Sequence, residues 1–398
     1  MKDRQSFVQE EGFDAHDPLL FDAQLTDEET EVRKVVREFA QAHLYPTVTK
    51  AYRDQALFLE KYKEMGKLGI LGGDCCELYG GRRINSVSYG LIAYELERVD
   101  SGYRTLYSVA SSLVMHAIYA YGSEQQKEMW LSKLLKAEAV GGFALTEPEH
   151  GSDTGAMESS VKKHEAGYIL NGKKRWIGLG NYADILIVWA KDEEGVVRGF
   201  IVPRSQRGVS TKDINGKLSL RTVPQADITF DNVYLERSYM LPKAKGFSAP
   251  FSCLNQARYG ISWGVLGAAQ SCLDKALKYS QSRHIFGQSL AAKQITQQKL
   301  VNMQVEIALG LQACYRVAQL MEMGRSHHNM ISLLKLNSTQ KALKIAQDAR
   351  DLLGGNGILD DYDVMRHLTN LYAVDTYEGT STIHTLILGK ALTGVPAF

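Results

Sequence analysis

The sequence predicts a mainly α-helical protein with a β-rich part in its middle. Apolar residues recur at helical spacing before residue 140 and again after residue 250. Between these stretches, apolar and polar residues alternate and short turn sequences recur, which is typical of strands. The order helical, β, helical predicts three domains, which we place at 1–140, 141–247 and 248–398.

The first predicted helix begins with a capping signal. Residues 25–29 read Leu-Thr-Asp-Glu-Glu, a capping box with a hydrophobic residue ahead of the cap. Three valines and a phenylalanine follow at helical spacing, and Pro46 is expected to end or kink the helix. Further N-terminal helices are predicted near 55–69, 86–100, 104–121 and 124–136.

The middle part is predicted to be a set of strands joined by tight turns. The apolar stretches that predict strands lie near 168–170, 183–190, 199–202 and 226–230. The dipeptides Asn171-Gly172 and Glu194-Gly195 are expected to be turns between strands, because such pairs favour hairpins.

Long helices return in the C-terminal part. They are predicted near 250–283, 292–323, 329–353, 362–372 and 380–392. The pair His327-His328 lies in a connection between two of them. We interpret it as a solvated turn rather than a metal site, since no third ligand follows at helical spacing.

Composition argues against several classes of function. The net charge of +1 leaves no basic excess for nucleic acid or an anionic membrane. No apolar run is long enough for a membrane span, and residues 1–17 carry acids throughout, unlike a signal or transit peptide. We therefore expect a cytoplasmic location in a bacterium, or the mitochondrial matrix in a eukaryote. The cysteines, expected to be reduced thiols, are Cys75, Cys76, Cys253, Cys272 and Cys314.

A single acid, Glu378, stands in the stretch 376-TYEGT-380 just before an apolar helical run, with Gly379 directly after it. A surface carboxylate needs no such neighbours, whereas a general base held over a substrate does. The chain has no Rossmann fingerprint, P-loop, zinc-protease or hydrolase motif that would offer another site.

Four further stretches occur in order with this one. They are 143-FALTEPEHGSDTGAM-157, 173-KKRWIGLGNYAD-184, 283-RHIFGQSLAAKQ-294 and 351-DLLGGNGI-358. Together with the Glu378 motif they resemble the acyl-CoA dehydrogenase family of flavoproteins over essentially the whole chain. The resemblance implies an N-terminal helical domain, a middle β-barrel-like domain and a C-terminal four-helix bundle, assembled as a homotetramer that binds FAD and an acyl-CoA.

The resemblance implies that Glu378 removes the α-proton of the thioester, while FAD takes the β-hydrogen. Gly379 would let the backbone pass the thioester, and burial should raise the pKa of Glu378. The resemblance implies that FAD contacts Thr146, Ser152, Trp176, Gly178, Thr380 and Thr382. The residues implied to reach FAD from a neighbouring subunit are Arg283, Phe286, Gln294, Gly354 and Gly355.

Within the family, four stretches resemble the glutaryl-CoA dehydrogenases: 95-ELERVDSGYR-104, 111-SSLVMH-116, 254-LNQARYGISWGVLGA-268 and the ending 376–394. This resemblance implies oxidative decarboxylation of glutaryl-CoA to crotonyl-CoA and CO2, a step of lysine and tryptophan degradation. An arginine fork suits the distal carboxylate of that substrate. The substrate-binding residues implied are Arg104, Glu97, Tyr377, Ser108, Ser152, Arg258 and Gly379.

Some positions depart from these patterns. Gly178 replaces the usual flavin-side threonine, as in acyl-CoA oxidases, so transfer of electrons to O2 is the alternative to transfer to electron-transferring flavoprotein. Thr105 and Ala110 replace a serine and a glutamine, which leaves open another short-chain or dicarboxylyl thioester without decarboxylation. Asp351 replaces a glutamine and puts one FAD contact in question. A third hypothesis, a silent acyl-CoA-binding scaffold, predicts a protein without bound flavin.

Overall fold

The computed structural model of the chain describes residues 12–56, 58–73, 77–82 and 84–397. The helices are α1 Asp27–Phe39, α2 Val48–Asp54, α3 Phe58–Leu68, α4 Ser86–Glu97, α5 Ser101–Ser108, α6 His116–Tyr121, α7 Glu124–Leu135, α8 Ser248–Ser282, α9 Gln294–Glu322, α10 His328–Leu352, α11 Val364–Thr376 and α12 Ser381–Thr393. The strands are β1 Gly141–Ala144, β2 Ser160–His164, β3 Gly167–Gly178, β4 Ile185–Lys191, β5 Val197–Pro203, β6 Val209–Asp213, β7 Gln225–Glu236, β8 His284–Ile285 and β9 Gln288–Ser289.

The described residues form two compact units. The helical unit contains the chain up to Thr49, Ser86–Arg104 and everything from Arg258 onward. The sheet unit contains Lys50–Asn85 and Thr105–Ala257. The helices α5 and α8 contribute residues to both units.

The sheet unit is built on a curled seven-stranded sheet of order β1-β4-β2-β3-β7-β6, with β5 paired to β4. β4 pairs in parallel with β1 and antiparallel with β5. Its residues Ile185 to Ala190 are all buried, which explains why this strand reads as a continuous apolar run. The inward residues of the other strands, including Leu170, Phe200 and Phe230, complete one core.

The four predicted strands are present as parts of β3, β4, β5 and β7. The Glu194-Gly195 turn is confirmed, with the Gly195 amide donating to the Asp192 carbonyl over 2.9 Å. The strands β1, β2 and β6 were not predicted, because β1 is rich in glycine and the other two carry mostly exposed or half-buried polar residues.

The predicted turn at Asn171-Gly172 is wrong, because both residues lie inside the 12-residue strand β3. The register shifts between Leu170 and Gly172, which marks a bulge. A Cβ on Gly172 would lie 2.3 Å from Ser159 Oγ, and its φ is +150°. Glycine is therefore needed for a close approach rather than for a hairpin.

In the helical unit, α10 packs against α9, α11 and α12. The predicted capping box at the start of α1 is confirmed, since Thr26 Oγ1 accepts from the Glu29 amide over 3.2 Å and Glu29 Oε2 accepts from the Thr26 amide over 2.9 Å. The glycines of α8 allow α4 to come close: a Cβ on Gly267 would lie 2.0 Å from the Tyr94 carbonyl oxygen. This close approach brings the C-terminal end of α4 against α8.

The predicted helices occur within a few residues of their expected bounds. The segment 104–121 is divided into α5, a π-helical stretch at Val109–Met115, and α6. Pro46 lies in a short 3-10 turn at Tyr45–Thr47 that separates α1 and its π-helical extension from α2. Cys253, Cys272 and Cys314 are buried thiols. The described residues do not include Cys75, Cys76 or most of residues 1–17, the segment compared above with signal and transit peptides. None of the described helices has the length and apolar character that a membrane span needs.

Candidate active site

Glu378 lies in the turn between α11 and α12 with a left-handed backbone, φ +53°, and Gly379 follows at +98°. Such a conformation is uncommon and strained for a residue with a side chain. The side chain is half-buried, and its Oε2 is buried without a hydrogen-bond partner among the described residues. Burial raises the pKa of Glu378 to about 7, against the opposing charges of Arg104, Arg258 and Lys335. The carboxylate therefore has a free oxygen and changes charge near neutral pH.

The turn that carries Glu378 is held by cations that bind its backbone. Arg258 Nε donates to the Glu378 carbonyl over 2.7 Å. Lys335 Nζ donates to the Gly379 carbonyl over 2.7 Å. A Cβ on Gly379 would lie 2.8 Å from His384 Nε2, so the imidazole packed against the turn requires glycine there.

Arg104, Glu97 and Tyr377 meet in one buried cluster. Arg104 Nε donates to Glu97 Oε2 over 2.7 Å, and the two side chains are 1% and 0% exposed. The Nη2 of Arg104 donates to the Tyr377 hydroxyl, and the guanidinium carbon lies 5.6 Å from the centre of that ring. Burial raises the pKa of Glu97 despite the attraction of Arg104. Because Tyr377 precedes Glu378 in the chain, the cluster adjoins the candidate base.

Gly264 of α8 belongs to this cluster and was not predicted. A Cβ at this position would lie 2.2 Å from Glu97 Oε2 and 3.2 Å from Arg104 Cγ. The ion pair therefore fits only against a glycine. The sequence signal that points to it is the series Gly260, Gly264 and Gly267, whose helical spacing indicates a closely packed helix face.

In the sheet unit, Thr146 is bonded to the strand β3 at the residue before Trp176. The Arg175 amide donates to the Thr146 carbonyl over 2.9 Å. Trp176 has φ +63° and a side chain that is 48% exposed, which is unusual for so large an apolar ring. A Cβ on Gly178 would meet only Val109 Cγ2, at 3.6 Å. Trp176 is therefore a largely exposed ring, and Gly178 leaves the space where a side chain would lie nearly empty.

The loop after β1 is fixed by a buried ion pair. Lys174 Nζ donates to Glu147 Oε1 and to the Leu145 carbonyl, each over 2.9 Å. Glu147 also accepts from the amides of Glu158 and Ser159. Neither Lys174 nor Glu147 was predicted, although both lie inside motifs that carried the resemblance.

The remaining predicted residues of the sheet unit are Ser108 and Ser152. Ser152 is exposed in the loop that Glu147 holds. Ser108 is buried, and its hydroxyl has no hydrogen-bond partner among the described residues. Thr105 and Ala110 are buried in the same stretch of chain.

The predicted nucleotide contacts of the helical unit are exposed. Phe286, at the tip of the β8–β9 hairpin, is 92% exposed with φ +48°. Gly354 and Gly355 begin the 3-10 segment Gly354–Ile358, and a Cβ on either would meet no atom within 4 Å. Arg283, Gln294 and Thr382 are exposed, while Thr380 is half-buried and caps α12. Asp351 is instead paired with Lys299.

These features fit a bound flavin nucleotide. Exposed aromatic rings suit a planar ring system, and open glycines admit phosphates close to the backbone. The described residues contain no group of three or more His, Cys, Asp or Glu side chains that could hold a metal ion.

Family profiles match the chain as "Acyl-CoA dehydrogenase, N-terminal domain" at residues 26–138, "middle domain" at 142–233 and "C-terminal domain" at 244–393. The chain belongs to the acyl-CoA dehydrogenase family, and it is an oxidoreductase. The predicted fold class, mainly α with a β-domain, is confirmed.

The chain is similar to two crystal structures of glutaryl-CoA dehydrogenase from Mycobacterium smegmatis, one of them in complex with FADH2. Each has a TM-score of 0.94, at 43% and 44% identity, and the match covers 96% of this chain and 99% of that one. The chain is also 32% identical to an acyl-CoA dehydrogenase of Bacillus subtilis strain 168, over 93% of this chain and 99% of the relative.

Proposed function

We propose that this protein is an FAD-dependent dehydrogenase that oxidises glutaryl-CoA and releases CO2 to give crotonyl-CoA. The observation that carries the proposal is the buried cluster of Arg104, Glu97 and Tyr377 next to Glu378. A saturated monoacyl thioester needs no cation at its distal end, whereas a dicarboxylyl thioester does. Similarity to a glutaryl-CoA dehydrogenase supports the proposal.

In this proposal, Arg104 binds the distal carboxylate of the substrate. Glu97 holds the guanidinium in one orientation, and burial strengthens the interaction because water no longer competes. Tyr377 contributes a second contact to Arg104. Ser108, Ser152 and Arg258 are assigned to the rest of the substrate, with Gly379 at the thioester.

Glu378 acts as the base that removes the proton from the α-carbon. Its free Oε2 and a pKa of about 7 suit a group that takes a proton and later returns it. FAD, when bound, supplies the acceptor for the hydride that leaves the β-carbon. The product of this oxidation is the α,β-unsaturated glutaconyl thioester.

Loss of CO2 follows from the position of the second carboxylate. In glutaconyl-CoA this carboxylate is attached to the γ-carbon, so the electrons of the broken C–C bond pass into the conjugated thioester as a dienolate. Glu378, now protonated, returns a proton to the γ-carbon, and crotonyl-CoA results. The ionic interaction between Arg104 and the carboxylate is lost in this step, because CO2 is neutral.

The same residues as in the sequence prediction are assigned to FAD. Trp176, Thr146 and Gly178 would face the flavin ring, and Ser152 would face the phosphates. Those assigned to the adenosine diphosphate part or to the catalytic turn are Arg283, Phe286, Gln294, Gly354, Gly355, Thr380 and Thr382. The lysine pairing of Asp351 argues against its use as a nucleotide contact.

The proposed assembly is a homotetramer. Exposed apolar side chains follow one another along α9 at Val301, Val305 and Leu309, with Ile295 near its start. A row of this kind is typical of a surface covered by another chain.

The proposal also keeps the three-domain division at 1–140, 141–247 and 248–398. The proposed electron acceptor is electron-transferring flavoprotein.

A second candidate function is an acyl-CoA oxidase, and Gly178 favours it. The absence of a side chain at this position leaves open space on the sheet unit, next to Trp176 in sequence. In an oxidase the proton abstraction by Glu378 is the same, and O2 replaces electron-transferring flavoprotein and yields hydrogen peroxide.

Mass spectrometry of the acyl-CoA product tests the proposal. The pure protein is mixed anaerobically with glutaryl-CoA and an artificial electron acceptor, and a parallel sample receives butyryl-CoA. We expect crotonyl-CoA from both, and one equivalent of CO2 from glutaryl-CoA alone. Glutaconyl-CoA as the end product would remove the decarboxylation. Unchanged glutaryl-CoA with the flavin present would assign the enzyme to another thioester. Peroxide formation in air at the rate seen with the artificial acceptor would favour the oxidase.

A further inference from the structure

Lys335 of α10 is a fully buried lysine whose ammonium is bound by backbone carbonyls. Its Nζ donates to the carbonyl of Asp375 over 3.1 Å and to that of Gly379 over 2.7 Å. Among the described residues, no carboxylate forms an ion pair with it within 4.0 Å. An ammonium without a direct counter-ion is costly to bury, so its retention needs an explanation.

The two carbonyls lie on either side of the candidate base. Asp375 is in the last turn of α11, Gly379 directly follows Glu378, and the turn between them has the left-handed backbone. Lys335 therefore bonds to the backbone on both sides of Glu378, at Asp375 before it and at Gly379 after it. A single point charge with three donors can satisfy both carbonyls at once.

A second contact from the same helix face supports this arrangement. Thr339, one turn after Lys335, donates from Oγ1 to Asp375 Oδ1 over 2.9 Å, and the hydroxyl of Ser381 donates to the same oxygen. Asp375 therefore joins α10 to the start of α12. Together these bonds tie the backbone on both sides of the Glu378 turn to α10.

The charge of Lys335 also acts on Glu378. Burial lowers the pKa of Lys335 to about 7, while Asp375 and Glu378 oppose that shift. The charges of Arg258 and Arg104 act in the same direction as burial and also lower the pKa of Lys335. The imidazole of His384 faces the turn from α12, and burial lowers the pKa of His384 to about 3, so this ring is neutral at physiological pH.

We propose that Lys335 is a positioning residue for the base: its ammonium clamps the backbone on both sides of Glu378, and its positive charge favours the ionised carboxylate. The inference rests on the proposed function, in which Glu378 abstracts the α-proton. Lys335 itself does not touch the reacting atoms in this assignment. It acts through the orientation and ionisation of Glu378.

The test compares Lys335→Gln, Lys335→Arg and the exposed control Lys344→Gln on the same helix. For each variant, kcat/KM for glutaryl-CoA is measured across pH 5.5–9, with thermal melting and flavin content of the holoenzyme. Lys335→Gln keeps N–H donors without charge, and we expect the midpoint of its acid limb to move up by about one pH unit. Lys335→Arg keeps the charge, and we expect its midpoint to stay while kcat falls about tenfold to a hundredfold through displacement of the turn.

A Lys335→Gln enzyme with the wild-type midpoint and only a lower melting temperature would overturn the inference, since a purely structural lysine predicts that result. If Lys335→Gln does not fold, the kcat of Lys335→Arg is the test of the inference. A wild-type kcat in Lys335→Arg would show that Lys335 does not position the Glu378 turn. Glu378→Gln separates the two proposals. If it remains active, the proposed base is wrong whatever Lys335 does; if it is inactive while Lys335→Gln shows no shift, only the role of Lys335 fails.

Discussion

Arg104 and Glu97 form an ion pair of 2.7 Å between two side chains that are almost completely shielded from water. Glu97 ends α4 and Arg104 lies in α5, so a short connection turns the chain back to bring them together. Burial works against the charge of Arg104, but Glu97 and Tyr377 outweigh it and raise the pKa of the guanidinium. The arginine is therefore a permanent cation with a fixed orientation, as recognition of a second carboxylate requires.

Replacing Arg104 should change the choice of substrate more than the overall activity. Arg104→Lys keeps the charge but loses the planar fork. We expect kcat/KM to fall about tenfold to a hundredfold more for glutaryl-CoA than for butyryl-CoA, since a hydrogen bond to a charged group contributes about 1.5–3 kcal/mol. The ratio of the two kcat/KM values measures the effect. Arg98→Lys is the matched control, because Arg98 is also largely buried in an ion pair, with Asp274. Equal losses on both substrates in Arg104→Lys would contradict the assignment.

Gly264→Ala should disrupt the same ion pair from the α8 side. The added methyl would lie 2.2 Å from Glu97 Oε2, which real atoms do not tolerate, so Glu97 or the helix must move. We expect lower turnover of glutaryl-CoA and a lower melting temperature, in keeping with about 1–3 kcal/mol for overpacking. Gly389→Ala is the control, since a Cβ on Gly389 of α12 would meet no atom within 4 Å. Wild-type glutaryl-CoA kinetics in Gly264→Ala would show that the fit of the pair does not matter.

The activity should depend on the ionisation of Glu378. Burial raises its pKa to about 7, and only the ionised form can accept the α-proton. The logarithm of kcat/KM should therefore rise with pH, with a slope of one below about pH 7. Above about pH 7, Glu378→Gln should lower kcat by a factor of about a hundred to ten thousand, as is usual for loss of a general base. A wild-type profile that is flat from pH 5.5 upward would assign the base to another group.

The raised pKa of Glu378 also makes the stability of the folded protein depend on pH, in the opposite direction to activity. Because the folded-state pKa of Glu378 lies above its usual value of 4.5, the protonated carboxyl is favoured in the folded protein. Its contribution to stability is present below about pH 4.5 and is lost as pH rises through about 7. Glu378 is thus ionised and active in the pH range where its burial lowers the stability of the folded protein most.

The parts of the site that are contiguous in sequence were predictable, and those assembled from distant segments were not. Glu378, Tyr377 and Gly379 lie in one motif, so their chemistry could be read directly. Lys335 and Gly264 belong to other helices, 43 and 114 positions away, and only the fold brings them to that motif. A lysine in a helical pattern is usually on the surface, and nothing in its spacing indicates that this one is buried.

The middle part shows the same limit for the fold. Continuous apolar runs identified β4 and β5, because both are buried along most of their length. The strands β2 and β6 carry largely exposed or half-buried polar residues and gave no apolar signal. Asn171-Gly172 has the composition of a hairpin turn, yet the pairing of β3 with β7 continues beyond it, and Gly172 serves a bulge instead. Tertiary pairing here overrides local turn preference.

Gly178→Thr tests the oxidase alternative. The new side chain should be accommodated, because the only atom near the added Cβ is Val109 Cγ2 at 3.6 Å. We expect an unchanged melting temperature and less hydrogen peroxide released per acyl-CoA oxidised in air, since the hydroxyl fills space that O2 would use. Gly142→Ala serves as the steric control: its Cβ would lie 2.9 Å from Leu186 Cδ2, so that variant should melt earlier. Peroxide release that is high and unaffected by Gly178→Thr would separate O2 reactivity from this position.

The two members of the buried ion pair between Lys174 and Glu147 should not contribute equally to stability. Lys174→Met leaves Glu147 with the amides of Glu158 and Ser159, at 2.7 and 2.9 Å, so the carboxylate keeps two donors. Glu147→Leu instead leaves those two amides without their acceptor, and the Lys174 ammonium keeps only the Leu145 carbonyl. Each unsatisfied buried group costs about 1–3 kcal/mol, so Glu147→Leu should lower the unfolding midpoint in denaturant more than Lys174→Met does.

The double variant Lys174→Met with Glu147→Leu shows whether the ion pair or the bonds from Glu147 to the loop amides contribute more to stability. If the ion pair alone were important, removing both charges would restore most of the stability. We expect it to restore little, because the Glu158 and Ser159 amides remain unpaired and the loop that bears Ser152 loses its anchor. Flavin content should fall along with the midpoint. Lys344→Met, which breaks an exposed pair with Asp348, is the control and should change stability by no more than about 0.5 kcal/mol. Recovery of both midpoint and flavin content in the double variant would show that the ion pair, and not the amide contacts of Glu147, dominates.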